Sequence, residues 1–149
     1  MDPLKVVEAA CSWIGTPYRH QGSRRGVGCD CLGLVRGVWQ DLYGFEPERP
    51  GHYAPDWAEA GGEDQLLAAA RRLLIDTGDV IPDAGLVVLF RWRPHCPAKH
   101  AAITLDRERF IHAYQERGVT VSSLVPQWRR RIAGVFAFPA SPRNVQNSV

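Results

Sequence analysis

No run of apolar residues in this chain approaches the roughly 18 that a membrane-spanning helix needs, so a membrane span is not expected. The opening MDPLKVVEAACSWIG has no basic segment followed by an apolar one, which argues against a secretory leader. A chain made in the cytoplasm is therefore expected, with something else carrying it if it acts outside. Charge of one sign is also scarce: the formal net charge is +2 over 149 residues, too little to argue for nucleic acid. The arginines cluster at Arg24-Arg25, Arg71-Arg72 and Arg129–Arg131 with no aromatic stacking motif beside them, as on a solvated face or a protein contact. Four cysteines in a chain of this length, without a leader, make a disulfide framework improbable. Internal repeats and low-complexity tracts are absent. What remains is 45% hydrophobic and 23% charged, ordinary for one domain able to bury a core.

The chain reads as helices first and strands later. Asp2 is a suitable N-cap with Pro3 at the first helical position. Leu4, Val7, Cys11 and Ile14 then fall on one helical face up to Gly15, so Cys11 reads as a small core residue. Residues 16–29, with Pro17 and three glycines, read as a loop. A second helix opens at Cys31, carries Leu34, Val35, Val38 and Leu42, and stops at Gly44. Residues 46–61 look irregular and exposed. Leu66, Leu67, Ala70, Leu73 and Leu74 make a third helix, closed by Gly78. After Gly78 the segments 86–92, 101–105, 110–114, 119–123 and 132–138 are short, apolar and bounded by turn residues, the pattern of strands. The expectation is a single α+β domain over 1–140, helices on one face of a mostly antiparallel sheet of about five strands. A polar tail follows over 141–149.

Cys29 and Cys31 flank Asp30 where the glycine-rich loop becomes a helix. Zinc could draw on Cys29, Cys31, His95, Cys96 and His100, but structural sites usually pair cysteines as C-x₂₋₄-C. Here the first pair is C-x-C and the second, His95-Cys96, sits between prolines, so no metal and no cofactor is expected. Asp30 can cap the helix, leaving the Cys31 sulfur beside unpaired backbone N–H groups. Those groups and the helix dipole favour thiolate, and a neighbouring imidazolium would favour it further. Pattern alone leaves two readings open: a nucleophile, or the first buried position of an amphipathic helix.

The segment 13-WIGTPYRHQGSRRGVGCDCLGLV-35 resembles the NlpC family of papain-like cysteine peptidases of the bacterial cell wall. The family's G-x-P-Y element is matched by Gly15-Thr16-Pro17-Tyr18, and its D-C-x-G-L-V helix start by Asp30 through Val35. Lys99-His100-Ala101-Ala102-Ile103 matches the histidine strand and 111-IHA-113 the strand with the third polar residue. The likeness covers roughly residues 3–138 in order. It implies a papain-like fold with Cys31 as nucleophile, His100 as general base and His112 orienting His100. Tyr18 and Asp30 would lie on the oxyanion and substrate side. Many members carry Ser where this chain has Leu32, which touches fine specificity rather than the nucleophile, and Cys29 lies outside the catalytic pattern.

The resemblance further implies hydrolysis of the peptidoglycan stem peptide, at the bond joining D-glutamate through its γ-carboxyl to a diamino acid. The D-C-L-G form, the lack of a leader and the compact domain look like the branch found in phage tails, prophages and gene transfer agents. The implied partners are then tail-hub or tail-tip proteins, docked through 46–61 or the arginine clusters, and the implied place of action is the target cell's wall. A structural tail component with a vestigial site, or an amidase or acyltransferase on the same scaffold, are the rival readings. One geometric condition follows. For His100 and His112 to share a face, paired residues of their strands must have numbers with an even sum; Leu105 opposite Phe110 would separate them.

Overall fold

A computed structural model describes residues 1–47, 64–78 and 82–142. The first helix, α1 (Pro3–Cys11), begins as expected: the Asp2 carboxylate accepts from the N–H of Leu4 at 2.9 Å. The buried stripe is different. Val6, Ala10 and Trp13 point inward, while Cys11 is exposed and Leu4 and Ile14 are 71% and 47% exposed. Both stripes satisfy helical periodicity, because this short helix is apolar nearly all round. Trp13 decides between them by docking on the second helix at Gly37, where a Cβ would lie 2.0 Å from its ring. Trp13 Nε1 then donates to Asp41 at 2.9 Å, and the Arg25 guanidinium lies 5.2 Å over the ring.

The stretch expected to be loop contains a small ribbon, β1 (Ser23–Arg24) paired with β2 (Gly28–Cys29). It delivers the chain to α2 (Cys31–Tyr43), capped by Asp30 and ended by Gly44. Gly33 is required by close approach: a Cβ there would sit 1.7 Å from the Gly22 carbonyl oxygen. The glycine of the D-C-L-G motif is thus the seat for the loop that precedes the helix. Leu34 and Val38 are fully buried, each worth roughly 1.5–3 kcal/mol relative to exposure.

Helix α3 (Gln65–Leu73), capped by Asp64, buries Leu66, Leu67 and Ala70. It ends earlier than the apolar pattern suggests. Leu74 is extended, and β3 (Ile75–Asp76) pairs with the last strand, so sheet pairing overrides the helical spacing there. The irregular 46–61 stretch lies largely outside the described residues, as does the tail from 143.

The five expected strands are β4 (Leu86–Phe90), β5 (His100–Thr104), β6 (Arg109–Tyr114), β7 (Gly118–Ser123) and β8 (Ile132–Ala137). With β3 they form one sheet, ordered β3-β8-β4-β5-β6-β7, in which every neighbouring pair is antiparallel. Val87, Leu89, Ala101, Ile103, Ile111 and Phe136 join the helices in the main core. Val88, Phe90, Ala102, Phe110 and Val135 form a second cluster on the opposite face, under Leu124 and Trp128. Trp128 comes from α4 (Pro126–Arg129), a one-turn helix that the sequence did not suggest. The fold is α+β, as expected. No helix among the described residues is long and apolar enough to cross a membrane.

Candidate active site

Cys31 is the first residue of α2, and the turn before it fixes where its side chain emerges. One Asp30 oxygen accepts from the N–H of Gly33 at 2.7 Å and the other from the N–H of Gln21 at 2.8 Å, tying loop and helix to one carboxylate. The helix start lies against β5, where the backbone N–H of Ala101 is near enough to favour the Cys31 thiolate. Cys29 points into the core and is fully buried.

The two histidines arrive by strand pairing. The recorded register is Ile103↔Ile111 and Thr104↔Phe110, an even sum, so His100 and His112 share a face. Only these two pairs join β5 and β6. The strands part beyond them, and a cleft of about 530 Å³ opens at the parted end, lined by Tyr18, Cys31, Trp92, Lys99, His100 and Tyr114 among others. His112 stands behind His100, 2% exposed, with its Nδ1 2.8 Å from His100 Nε2. The nitrogen left to His100 for the cleft is Nδ1. His112 Nε2 in turn lies 2.8 Å from the Ser122 hydroxyl.

An aromatic cage holds the pair. Trp92 stacks on His100 at 5.7 Å between ring centroids, Phe90 stacks at 6.3 Å, and Trp128 lies 6.0 Å away. Phe110 and Trp128 flank His112 at 4.7 and 5.7 Å. Arg131 covers the outside, 5.5 Å over Trp92 and 5.9 Å over Trp128. Most of both imidazoles is thus shielded from water, and the charged form suffers. Burial, with His112 adding, lowers His100 to about 3, and burial lowers His112 to about 4.

The expected thiolate is corrected by the same physics. Burial first, then the Asp30 carboxylate, pushes the Cys31 thiol up to about 12. The N–H groups of Ala101, Leu32 and Cys31 pull it down, as the helix-start reasoning required, but they do not win. The cap that positions the sulfur also places a negative charge beside it. These shifts favour a thiol at Cys31 and a neutral imidazole at His100, both on the same cleft. Burial, aided by Cys31, Asp30 and Cys29, raises the Tyr18 phenol to about 12, so it remains a hydroxyl able to donate into the cleft.

Tyr18, Asp30, Cys31 and His100 all line the cleft, and His112 reaches it through His100. Leu32 also lines it, as does His20, whose Nδ1 is 3.9 Å from the Asp30 carboxylate. The sequence reading missed His20, Trp92, Ser122 and Trp128. Strand parity could have found Ser122, which pairs with Phe110 and so shares the histidine face; nothing local marks Trp128. Among the described residues no group of three or more His, Cys, Asp or Glu is placed to hold a metal ion.

Comparison with known proteins bears on the family and the fold. Residues 15–136 match the sequence model of the NlpC/P60 family. The chain is 27% identical over 128 residues to the murein DD-endopeptidase MepS/murein LD-carboxypeptidase of Escherichia coli (strain K12), covering 85% of this chain and 58% of that protein. It is 32% identical over 139 residues to the gamma-DL-glutamyl hydrolase of Bacillus subtilis (strain 168), covering 91% of this chain and 29% of that one. The chain therefore spans less than two thirds of these relatives. Among solved structures, the NlpC/p60 domain of the peptidoglycan hydrolase SagA superposes with a TM-score of 0.60 at 24% identity, covering 93% of this chain and all of that one. A lipoprotein-like NLP/P60 protein from Staphylococcus aureus gives 0.65 at 20% identity, covering 95% of this chain and 43% of that one. These two likenesses concern the fold; the sequence match over most of its length places this chain in the NlpC/P60 family.

Proposed function

We propose that residues 1–140 form one cysteine peptidase domain that hydrolyses an amide bond of the peptidoglycan stem peptide. The observation that carries this reading is the hydrogen-bonded His100–His112 pair whose outer ring opens on the same cleft as Cys31. The neutral resting state sets the order of events. As the Cys31 sulfur attacks the carbonyl carbon, its proton passes to His100, the general base. The oxyanion takes a hydrogen bond from Tyr18. Collapse expels the amine, which receives the proton from His100 and leaves a thioester. Water, deprotonated by His100, then releases the acid and restores the thiol. Asp30 acts at the substrate side indirectly, by holding the helix start.

The bond we favour joins the γ-carboxyl of D-glutamate to a diamino acid. A relative named for γ-glutamyl hydrolysis supports it, while one named for DD-endopeptidase and LD-carboxypeptidase activity marks the neighbouring possibilities. Lys99 and Glu116 bring opposite charges to the cleft, suited to a peptide carrying both carboxylates and an ammonium group. The D-C-L-G form supports a place in a phage-like tail tip, opening the wall locally beside tail-hub proteins. Mass spectrometry of purified wall peptides after incubation tests the reaction. Fragments cut after γ-D-glutamate are expected. Intact peptides from a folded protein would favour the vestigial reading, and transfer products the acyltransferase.

A further inference from the structure

We propose that Ser122 is a positioning residue that sets which nitrogen of each histidine carries a proton. The inference rests on the assignment of His100 as base. Its Nε2 is engaged by His112 Nδ1 at 2.8 Å, so Nδ1 faces the cleft and must be bare to accept the thiol proton. A neutral imidazole carries one N–H. His100 must then be protonated at Nε2 and donate to His112 Nδ1. His112, also neutral at about 4, must keep its own proton on Nε2. That N–H meets Ser122 Oγ at 2.8 Å, and the hydroxyl oxygen accepts it.

The opposite chain is equally well hydrogen-bonded and inert. If Ser122 donated to His112 Nε2, His112 would donate from Nδ1 to His100 Nε2, and His100 would turn an N–H toward the sulfur. The direction of the Ser122 hydroxyl on β7 is thus relayed through His112 to the base, which is available when that oxygen accepts. Among the described residues the side-chain partner at His112 Nε2 is Ser122, although Thr120 stands opposite His112 on β7; Phe110, Trp128 and Tyr114 present rings at 4.7, 5.7 and 5.5 Å. When His100 becomes imidazolium it donates more strongly to His112 Nδ1, and the N–H···Ser122 bond strengthens in step.

The test uses ¹⁵N-labelled full-length protein and long-range ¹H–¹⁵N spectra of the two imidazoles. Wild type should show both as the Nε2–H tautomer. Ser122→Ala should mix the His112 tautomers, lower kcat about tenfold with KM unchanged, the size of one neutral hydrogen bond, and slow iodoacetamide capture of Cys31. Ser122→Thr, which keeps the hydroxyl, should restore all three. Unchanged tautomers and kcat in Ser122→Ala would overturn the proposal, as would a kcat loss that Thr repairs while the tautomers never move. If instead His100→Ala retains turnover, the assignment of the base is what fails, and the tautomer spectra still judge Ser122 separately.

Discussion

On its helix side the six-stranded sheet presents Val87, Leu89, Ala101, Ile103 and Ile111; on the other it presents Phe90, Ala102, Phe110 and two histidines. The first face is aliphatic and covered by long helices. The second is aromatic, polar in part, and lies under a single turn of helix. The helix side supplies burial, and burial is the main source of stability. The other side spends its rings on excluding water from two imidazoles, which alters their chemistry more than it thickens the core. Cys31 belongs to the first side and His100 to the second. They line one cleft because β5 and β6 part between them.

The largest effect should come from the atom that links the faces. Cys31→Ser should lower turnover of wall peptides by more than about a thousandfold, with little change in thermal unfolding. Steady-state assays on folded protein check this, and near-normal turnover would detach the chemistry from the cleft. Cys29→Ser, in the core beside it, should spare turnover and cost stability instead, about 1–3 kcal/mol for a buried hydroxyl.

Next in size is the aliphatic face. Leu89→Ala should cost about 2–5 kcal/mol in urea unfolding while activity per folded molecule stays close to wild type. A comparable loss of kcat would mean the two faces are not separable.

The histidine face should show itself in pH. Both imidazoles titrate below the ordinary 6.5, at about 3 and about 4, so between these values the unfolded chain binds more protons than the folded one. Stability is therefore undiminished above about 6.5 and falls as pH drops toward 4. The slope is up to about 1.4 kcal/mol per unit for each histidine. Urea midpoints across that range measure it, and His112→Asn should roughly halve the slope. For the same reason kcat/KM should persist well below pH 6.5 while the fold lasts. A midpoint at 6.5 would show His100 to be solvated.

Smaller effects test the cage and the cleft wall. Trp128→Ala should admit water and move the acid limb of kcat/KM upward by about one unit. An unmoved limb would assign the shielding to Phe90 and Trp92 alone. Leu32→Ser should shift KM by less than about threefold and leave kcat alone, a change of the size usual for a partly buried side chain.

Much of the site was legible because its cues are local. The Asp30 cap and the stop at Gly44 each act within a turn of helix. Strands β4 to β8 announced themselves by apolar runs between turn residues. The register condition needed only the alternation of side chains, and the observed pairs meet it. Where apolar residues surround a short helix, periodicity has no preference, and Cys11 was placed on the wrong stripe. The end of α3 failed for a related reason: Leu74 and Ile75 suit either element, and the open edge of β8 took them.

Sequence alone determined the order of the three longer helices and the five longer strands, the sulfur at a helix start and two histidines on adjacent strands, because these depend on neighbours along the chain. Tertiary structure decided the protonation states, the cage of Trp92 and Trp128, and the reach of Ser122. Those depend on how much water and charge the distant strands leave around each group, and no stretch of sequence carries that quantity.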